Sequence, residues 1–257
     1  MTKTLNDLRK KNKKAFIPFL TCGDPSPKIT EDAIDVLVEQ GATLIELGMP
    51  FSDPMADGPT IQKSSERALA NGMTLQGTLE LVKWVRTKHD IPLLLMGYYN
   101  PILHYGLKKF AKDAKNAGVN ALLIVDLPVE ESEELRTHLK DSNIDLIYLL
   151  TPTSTKERIQ LVNQFGSGFV YYVSFTGTTG AQSLNTTAVK KNVLSLKKQI
   201  KLPINVGFGI STKQDIKAVQ EFADGAVVGS AIVKMIEQAS QSNNFKSNFK
   251  KELQKLF

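Results

Sequence analysis

A glutamate set inside an apolar run is the first residue of this chain that calls for a chemical reason. Glu46 stands in Thr43-Leu44-Ile45-Glu46-Leu47. A carboxyl enclosed by such neighbours loses hydration, so its pKa rises and it can give and take a proton near neutrality. The plainer alternative is a core carboxylate held by an ion pair or by hydrogen bonds. Asp57 follows in the loop Gly48-Met49-Pro50-Phe51-Ser52-Asp53-Pro54-Met55-Ala56-Asp57-Gly58-Pro59, where aspartate is commonly a turn former. Carried on the same βα unit as Glu46, it becomes a candidate second catalytic group. Asp24, Asp53 and Asp126 are expected to be loop hydrogen-bonders. A third pattern is Gly207-Phe208-Gly209-Ile210-Ser211 followed by Gly229-Ser230. Small residues let backbone N–H groups approach an anion, and a helix N-terminus adds partial positive charge, so this pair reads as a phosphate cradle. Ser211 is expected to open one helix, and Ser230 to Glu237 to form a short further one. The alternative is that these glycines only make tight turns.

Missing residue types narrow the chemistry. His89, His104 and His138 fall in helical or helix-flanking segments, which leaves no His-carboxylate cluster for a catalytic metal and no histidine acid–base. No lysine lies on an expected strand, against a Schiff-base mechanism. The one cysteine, Cys22, cannot form an internal disulfide and has no histidine to activate it, so it reads as a small buried hydrophobe.

The elements that would position these groups recur along the chain. An amphipathic segment ends at a glycine and passes into a short apolar run at Gly41, Gly118, Gly166 and Gly225, glycine suiting a left-handed helix end. Further apolar runs span Phe16 to Leu20, Pro92 to Gly97, Ile144 to Leu150 and Pro203 to Phe208. About eight strands separated by helical patterns predict a parallel sheet, and the lack of a dinucleotide Gly-x-Gly-x-x-Gly favours closure over an open sheet. The expectation is a (β/α)8 TIM barrel filling residues 1–257 as one domain. Extra helices are expected at the N-terminus, after strand 2 (two helices, broken at Asn71-Gly72) and after strand 8 (Phe245, Phe249, Leu253 and Leu256 at helical spacing). In such barrels the site lies where strands run out into βα loops.

The 257 residues are 42% hydrophobic and 23% charged, which suits a globular enzyme. A net charge of +6, spread over expected helix faces without interleaved aromatics, argues against nucleic-acid binding. No apolar run approaches the roughly 20 residues of a membrane helix, and the N-terminus lacks a signal-peptide core, so a cytoplasmic chain is expected.

Three segments carry a family resemblance: Phe19-Leu20-Thr21-Cys22-Gly23-Asp24-Pro25, Ile45 to Pro59, and Gly229-Ser230-Ala231-Ile232-Val233. With them the chain resembles the tryptophan synthase α subunit along essentially its whole length. The resemblance implies a lyase that splits indole-3-glycerol phosphate into indole and glyceraldehyde 3-phosphate. It also implies that indole passes to a β subunit carrying the pyridoxal phosphate, with no cofactor in this chain. By the same resemblance Glu46 is the general acid–base and Asp57 faces the indole N–H, with Tyr171 beside them. Gly180, Gly209, Gly229 and Ser230 would hold the phosphate, and Phe19, Met96, Tyr98 and Phe208 would wall the indole. Gly177 to Gly180 would close as a lid with Thr179 on Asp57, and Pro50 to Pro59 and the helix start near Asn100-Pro101 would face the β subunit. Phe175, where the family pattern has arginine, and Thr178 depart from that pattern in the lid. Two other readings stand beside this one. A phosphosugar isomerase or indole-forming synthase would want Lys, His or Cys at a strand end, which is not found. A feeble enzyme kept as an allosteric activator would not need both carboxylates and an intact cradle.

Overall fold

The computed structural model describes residues 1–173, 186–207 and 209–257. Eight parallel strands close in sequence order into a barrel: β1 (Ala15–Thr21), β2 (Ile45–Gly48), β3 (Leu93–Gly97), β4 (Ala121–Ile124), β5 (Asp145–Leu150), β6 (Val170–Val173), β7 (Ile204–Gly207) and β8 (Gly225–Val228). The N-terminal helix α1 (Thr2–Lys10) precedes them, and α2 (Pro27–Glu39) follows β1. Two helices, α3 (Pro59–Ala70) and α4 (Leu75–Lys88), follow β2 and part at Asn71-Gly72 as expected. Two more, α5 (Tyr99–Tyr105) and α6 (Leu107–Ala117), follow β3; the first of these was not expected as a separate helix. Gly106 separates them with φ at 91°. Then come α7 (Glu133–Leu139), α8 (Lys156–Phe165), α9 (Thr186–Lys197) and α10 (Lys213–Gln220), one per strand. After β8 the chain ends with α11 (Ser230–Ser240) and α12 (Phe245–Leu253). No helix among the described residues is long and apolar enough to cross a membrane.

The strands are apolar on both faces because both are covered. Outward residues such as Leu47, Leu95, Leu122, Tyr172 and Val206 join the core under the helices. Inward residues form a second cluster with Leu5 of α1, which plugs the N-terminal mouth. Not every glycine works as expected: Gly41 and Gly118 have positive φ, whereas Gly166 is extended and Gly225 already belongs to β8.

Register decides which inward residues share a level. Followed round all eight pairings, it climbs by eight residues per circuit, so neighbouring strands are offset and alternate strands stand level. The middle layer is then Glu46, Leu123, Tyr171 and Val227, from the even strands. Below it lie Ile17, Leu94, Ile147 and Asn205, and above it, toward the loops, Phe19, Met96, Leu149 and Gly207. The barrel thus sets Glu46 and Tyr171 at one height, across the axis from each other, with the aromatic and thioether residues over them.

Candidate active site

Glu46 is fully buried and neither carboxylate oxygen makes a hydrogen bond. Strand β2 fixes it there through its register, which pairs Glu46 with Phe19 of β1 and Leu94 of β3, two other inward residues. Burial, with the Asp57 carboxylate as a second cause, pushes its pKa up to about 8. No ion pair or hydrogen bond among the described residues supports the alternative of a merely structural core carboxylate. Among the described residues its charge has no counterpart, and it is held as an acid by its surroundings.

Asp57 comes from the β2–α3 loop yet is only 6% exposed. Three contacts fold that loop inward. Asp57 N–H donates to the Pro54 carbonyl at 3.0 Å, Gln62 Nε2 donates to the Asp57 carbonyl at 2.9 Å, and Tyr98 Oη donates to Asp57 Oδ2 at 3.1 Å. The same Tyr98 oxygen accepts the Ala56 N–H at 3.0 Å. Burial pushes Asp57 up to about 6, while the tyrosine hydrogen bond pulls the other way. Near pH 7 the two groups therefore differ in kind: Glu46 is mainly the acid and Asp57 mainly the anion. Their titrations belong to a pair.

Tyr171 is buried, and its phenol is raised well above its ordinary range by burial and then by the Glu46 and Asp57 charges. A methyl group built on Gly207 would stand 2.2 Å from its hydroxyl. This revises one part of the cradle reading, because Gly207 makes room for Tyr171. Phe19 lies in a similar slot, 2.6 Å from where a Gly48 side chain would begin and 3.7 Å from that of Gly229. Met96 packs with Phe19.

The phosphate cradle is partly as expected. Helix α11 opens at Ser230 behind Gly229 with no side-chain cap, so its leading end is free to meet an anion. Helix α10 is different. Thr212, not Ser211, is its cap, and Asp215 closes a capping box while taking the Ser211 N–H and hydroxyl. Its end is satisfied from within. Gly209 precedes it with φ at 74°. Thr179, Gly180 and Phe208, and with them Phe175 and Thr178, lie outside the described residues.

The remaining acids are loop groups, as expected. Asp126 accepts the Tyr99 N–H at 2.8 Å, Asp53 takes the Ser52 hydroxyl, and Asp24 is bound by Arg67. Cys22 is buried and its thiol is pushed up to about 12, which keeps it inert. Among the described residues no three His, Cys, Asp or Glu side chains gather to hold a metal ion. Sequence reasoning missed Gln62 and Arg67, whose roles depend on contacts across the fold. It placed Tyr98 as a wall without seeing its bond to Asp57.

Residues 5–256 match the model of the family described as the tryptophan synthase alpha chain. A Geobacter sulfurreducens protein of that name is 52% identical over 235 residues, 91% of this chain and 89% of its own length. The solved tryptophan synthase subunit alpha of Legionella pneumophila is 38% identical, with a TM-score of 0.89 over 98% of this chain and 97% of that one. A Pyrococcus furiosus chain, solved in a tryptophan synthase α2β2 complex, is 36% identical with a TM-score of 0.81, covering 94% and 97%. A buried acid at mid-barrel, a second carboxylate folded over it and an uncapped helix end thus occur in a chain that belongs to the tryptophan synthase alpha chain family.

Proposed function

We propose that Glu46 and Asp57 divide the proton and charge work of the reaction this family performs. That reaction is cleavage of indole-3-glycerol phosphate to indole and glyceraldehyde 3-phosphate, with indole passed to the β subunit. The observation that carries the assignment is the split between two buried carboxyls, one at about 8 and one at about 6.

The chemistry needs a proton delivered to indole C3, which makes the ring nitrogen cationic. Protonated Glu46 gives that proton and Asp57, still ionised, faces the N–H and stabilises its charge. Glu46, now a carboxylate, takes the proton of the side-chain hydroxyl next to C3. The C–C bond breaks as the carbonyl forms, its electron pair returns to the ring, and Glu46 ends as it began. No proton is gained or lost overall.

Phe19 and Met96, over the Glu46 layer, would flank the indole with Tyr98, Tyr171 and Phe208. Ser230, Gly229, Gly209 and Gly180 would receive the phosphate, with Thr179 closing on Asp57. Exposed Met55 (75%) and Leu103 (51%), on the β2–α3 loop and on α5, support docking of the β subunit there. We read residues 1–257 as one barrel domain, assign the pyridoxal phosphate to the β subunit and no cofactor to this chain, and place the chain in the cytoplasm.

The test is indole release from indole-3-glycerol phosphate by the chain alone and with a β subunit. Release that rises with the partner, and falls by roughly 10²-fold or more in Glu46→Gln and in Asp57→Asn, is expected. Unchanged release in Glu46→Gln would remove Glu46 from its role.

A further inference from the structure

The two ends of the site belong to different elements. Asp57 leads into α3, and Ser230 opens α11. A single ridge of α3, at Ile61, Ser64 and Arg67, three residues apart each time, carries its contacts to β1, to the loop after it and to α11; Ile61 and Arg67 are the two that reach α11. At the inner end, Ile61 forms a small apolar cluster with Phe19 of β1 and Val233 of α11. Next, the Ser64 and Thr21 hydroxyls are 2.6 Å apart and buried. At the outer end, the Arg67 guanidinium reaches two carboxylates at once. Its Nε and Nη2 donate to the two oxygens of Asp24 at 2.6 and 2.9 Å, and its Nη1 donates to Glu237 Oε1 of α11 at 2.9 Å.

A surface ion pair alone would carry little, because solvent screens it. This one differs in its inner half, where the Asp24 side chain is only 3% exposed. The planar fork fixes the direction of both arms, which a lysine cannot do. Val233 and Glu237 lie four residues apart, on one face of α11, so the apolar and ionic contacts grip that helix at two points.

We infer that Arg67 is a positioning residue, whose bridge from Asp24 to Glu237 sets the tilt of α11 and so the place of Ser230 relative to Asp57. The inference rests on reading the leading end of α11 as the phosphate site. A substrate held at both ends is sensitive to that tilt, since a small misplacement of one anchor weakens binding of the part it holds.

The experiment uses the full chain with its β subunit and three variants. Glu237→Gln cuts only the exposed arm and leaves the buried Arg67–Asp24 pair intact. Arg67→Lys keeps the charge without the fork, and Ser230→Asp probes the helix end itself by setting a negative charge where the phosphate would lie. KM and kcat are measured for indole-3-glycerol phosphate, with inhibition constants for glyceraldehyde 3-phosphate and for indole. In Glu237→Gln and Arg67→Lys, KM and the glyceraldehyde 3-phosphate constant should rise together, roughly three- to tenfold, with kcat within about twofold and the indole constant unmoved. If Ser230→Asp raises them and the two bridge variants do not, the bridge is structural only and the inference fails alone. If Ser230→Asp also leaves them unchanged, the phosphate reading fails and takes the inference with it.

Discussion

Replacing Glu46 by glutamine should abolish most activity and make the protein more stable, with a gain that grows with pH. The carboxyl titrates at about 8 when folded against an ordinary 4.5. Below 4.5 it is protonated in both states and costs nothing. Between 4.5 and 8 the folded chain keeps a proton that the unfolded chain releases, so wild-type stability falls as pH rises, by about 1.4 kcal/mol per pH unit. Glutamine has no such term. Its amide is also enclosed without a partner, but that cost does not vary with pH and cancels when the slope is read. From pH 5 to pH 7 the stability difference between variant and wild type should therefore shift toward the variant by about 2–3 kcal/mol. For a chain of this size that corresponds to roughly 5–10 °C in melting temperature. The assay is urea unfolding and thermal melting of both proteins at half-unit steps from pH 4.5 to 8. A difference that stays flat across that range would refute the claim that Glu46 is buried without a counter-charge.

Other outcomes follow from the same geometry. The pH profile of kcat/KM should be bell-shaped, rising through about 6 as Asp57 ionises and falling above about 8 as Glu46 loses its proton; stopped assays across pH 5–9 would check both limbs. Tyr98→Phe removes the donor that favours ionised Asp57, so the acidic limb should move to higher pH, with a stability loss of about 1 kcal/mol. An acidic limb that stayed in place would show that the hydrogen bond does not tune Asp57. Gly207→Ala would drive a methyl into the Tyr171 hydroxyl. Because the methyl would also meet the ring carbons at 2.4 and 2.5 Å, forcing the phenol aside should cost about 1–3 kcal/mol and reduce turnover, and the stability cost of Gly207→Ala should shrink in a double variant that carries Tyr171→Ala, measured against Tyr171→Ala alone. No recovery in the double variant would place the strain elsewhere.

The alternation of apolar runs with amphipathic segments was enough to predict eight strands and closure, because a strand covered on both faces must be apolar throughout. The same rule made Glu46 conspicuous, since an acid in such a run has few harmless explanations. The familiar segments around Thr21, Glu46 and Ser230 then supplied the reaction. Local sequence was also sufficient for the paired helices after β2, where Asn71-Gly72 interrupts the pattern, and for a further helix that opens at Ser230.

Other features were settled only when the chain closed on itself. Strand register, a property of all eight strands together, put Glu46 level with Tyr171 and Phe19 above them. Gly207 was legible as a close-approach residue but not as the slot for a phenol from the neighbouring strand. Whether the helix after β7 or the one after β8 offers its end to an anion depended on Asp215, whose carboxylate closes α10 from within. Arg67 looked like one more basic residue on a helix until folding brought Asp24 and Glu237 to it from two other elements. A sequence states which groups are costly to bury. Only the closed barrel decides which of them are brought near one another, because those distances depend on contacts between residues far apart in the chain.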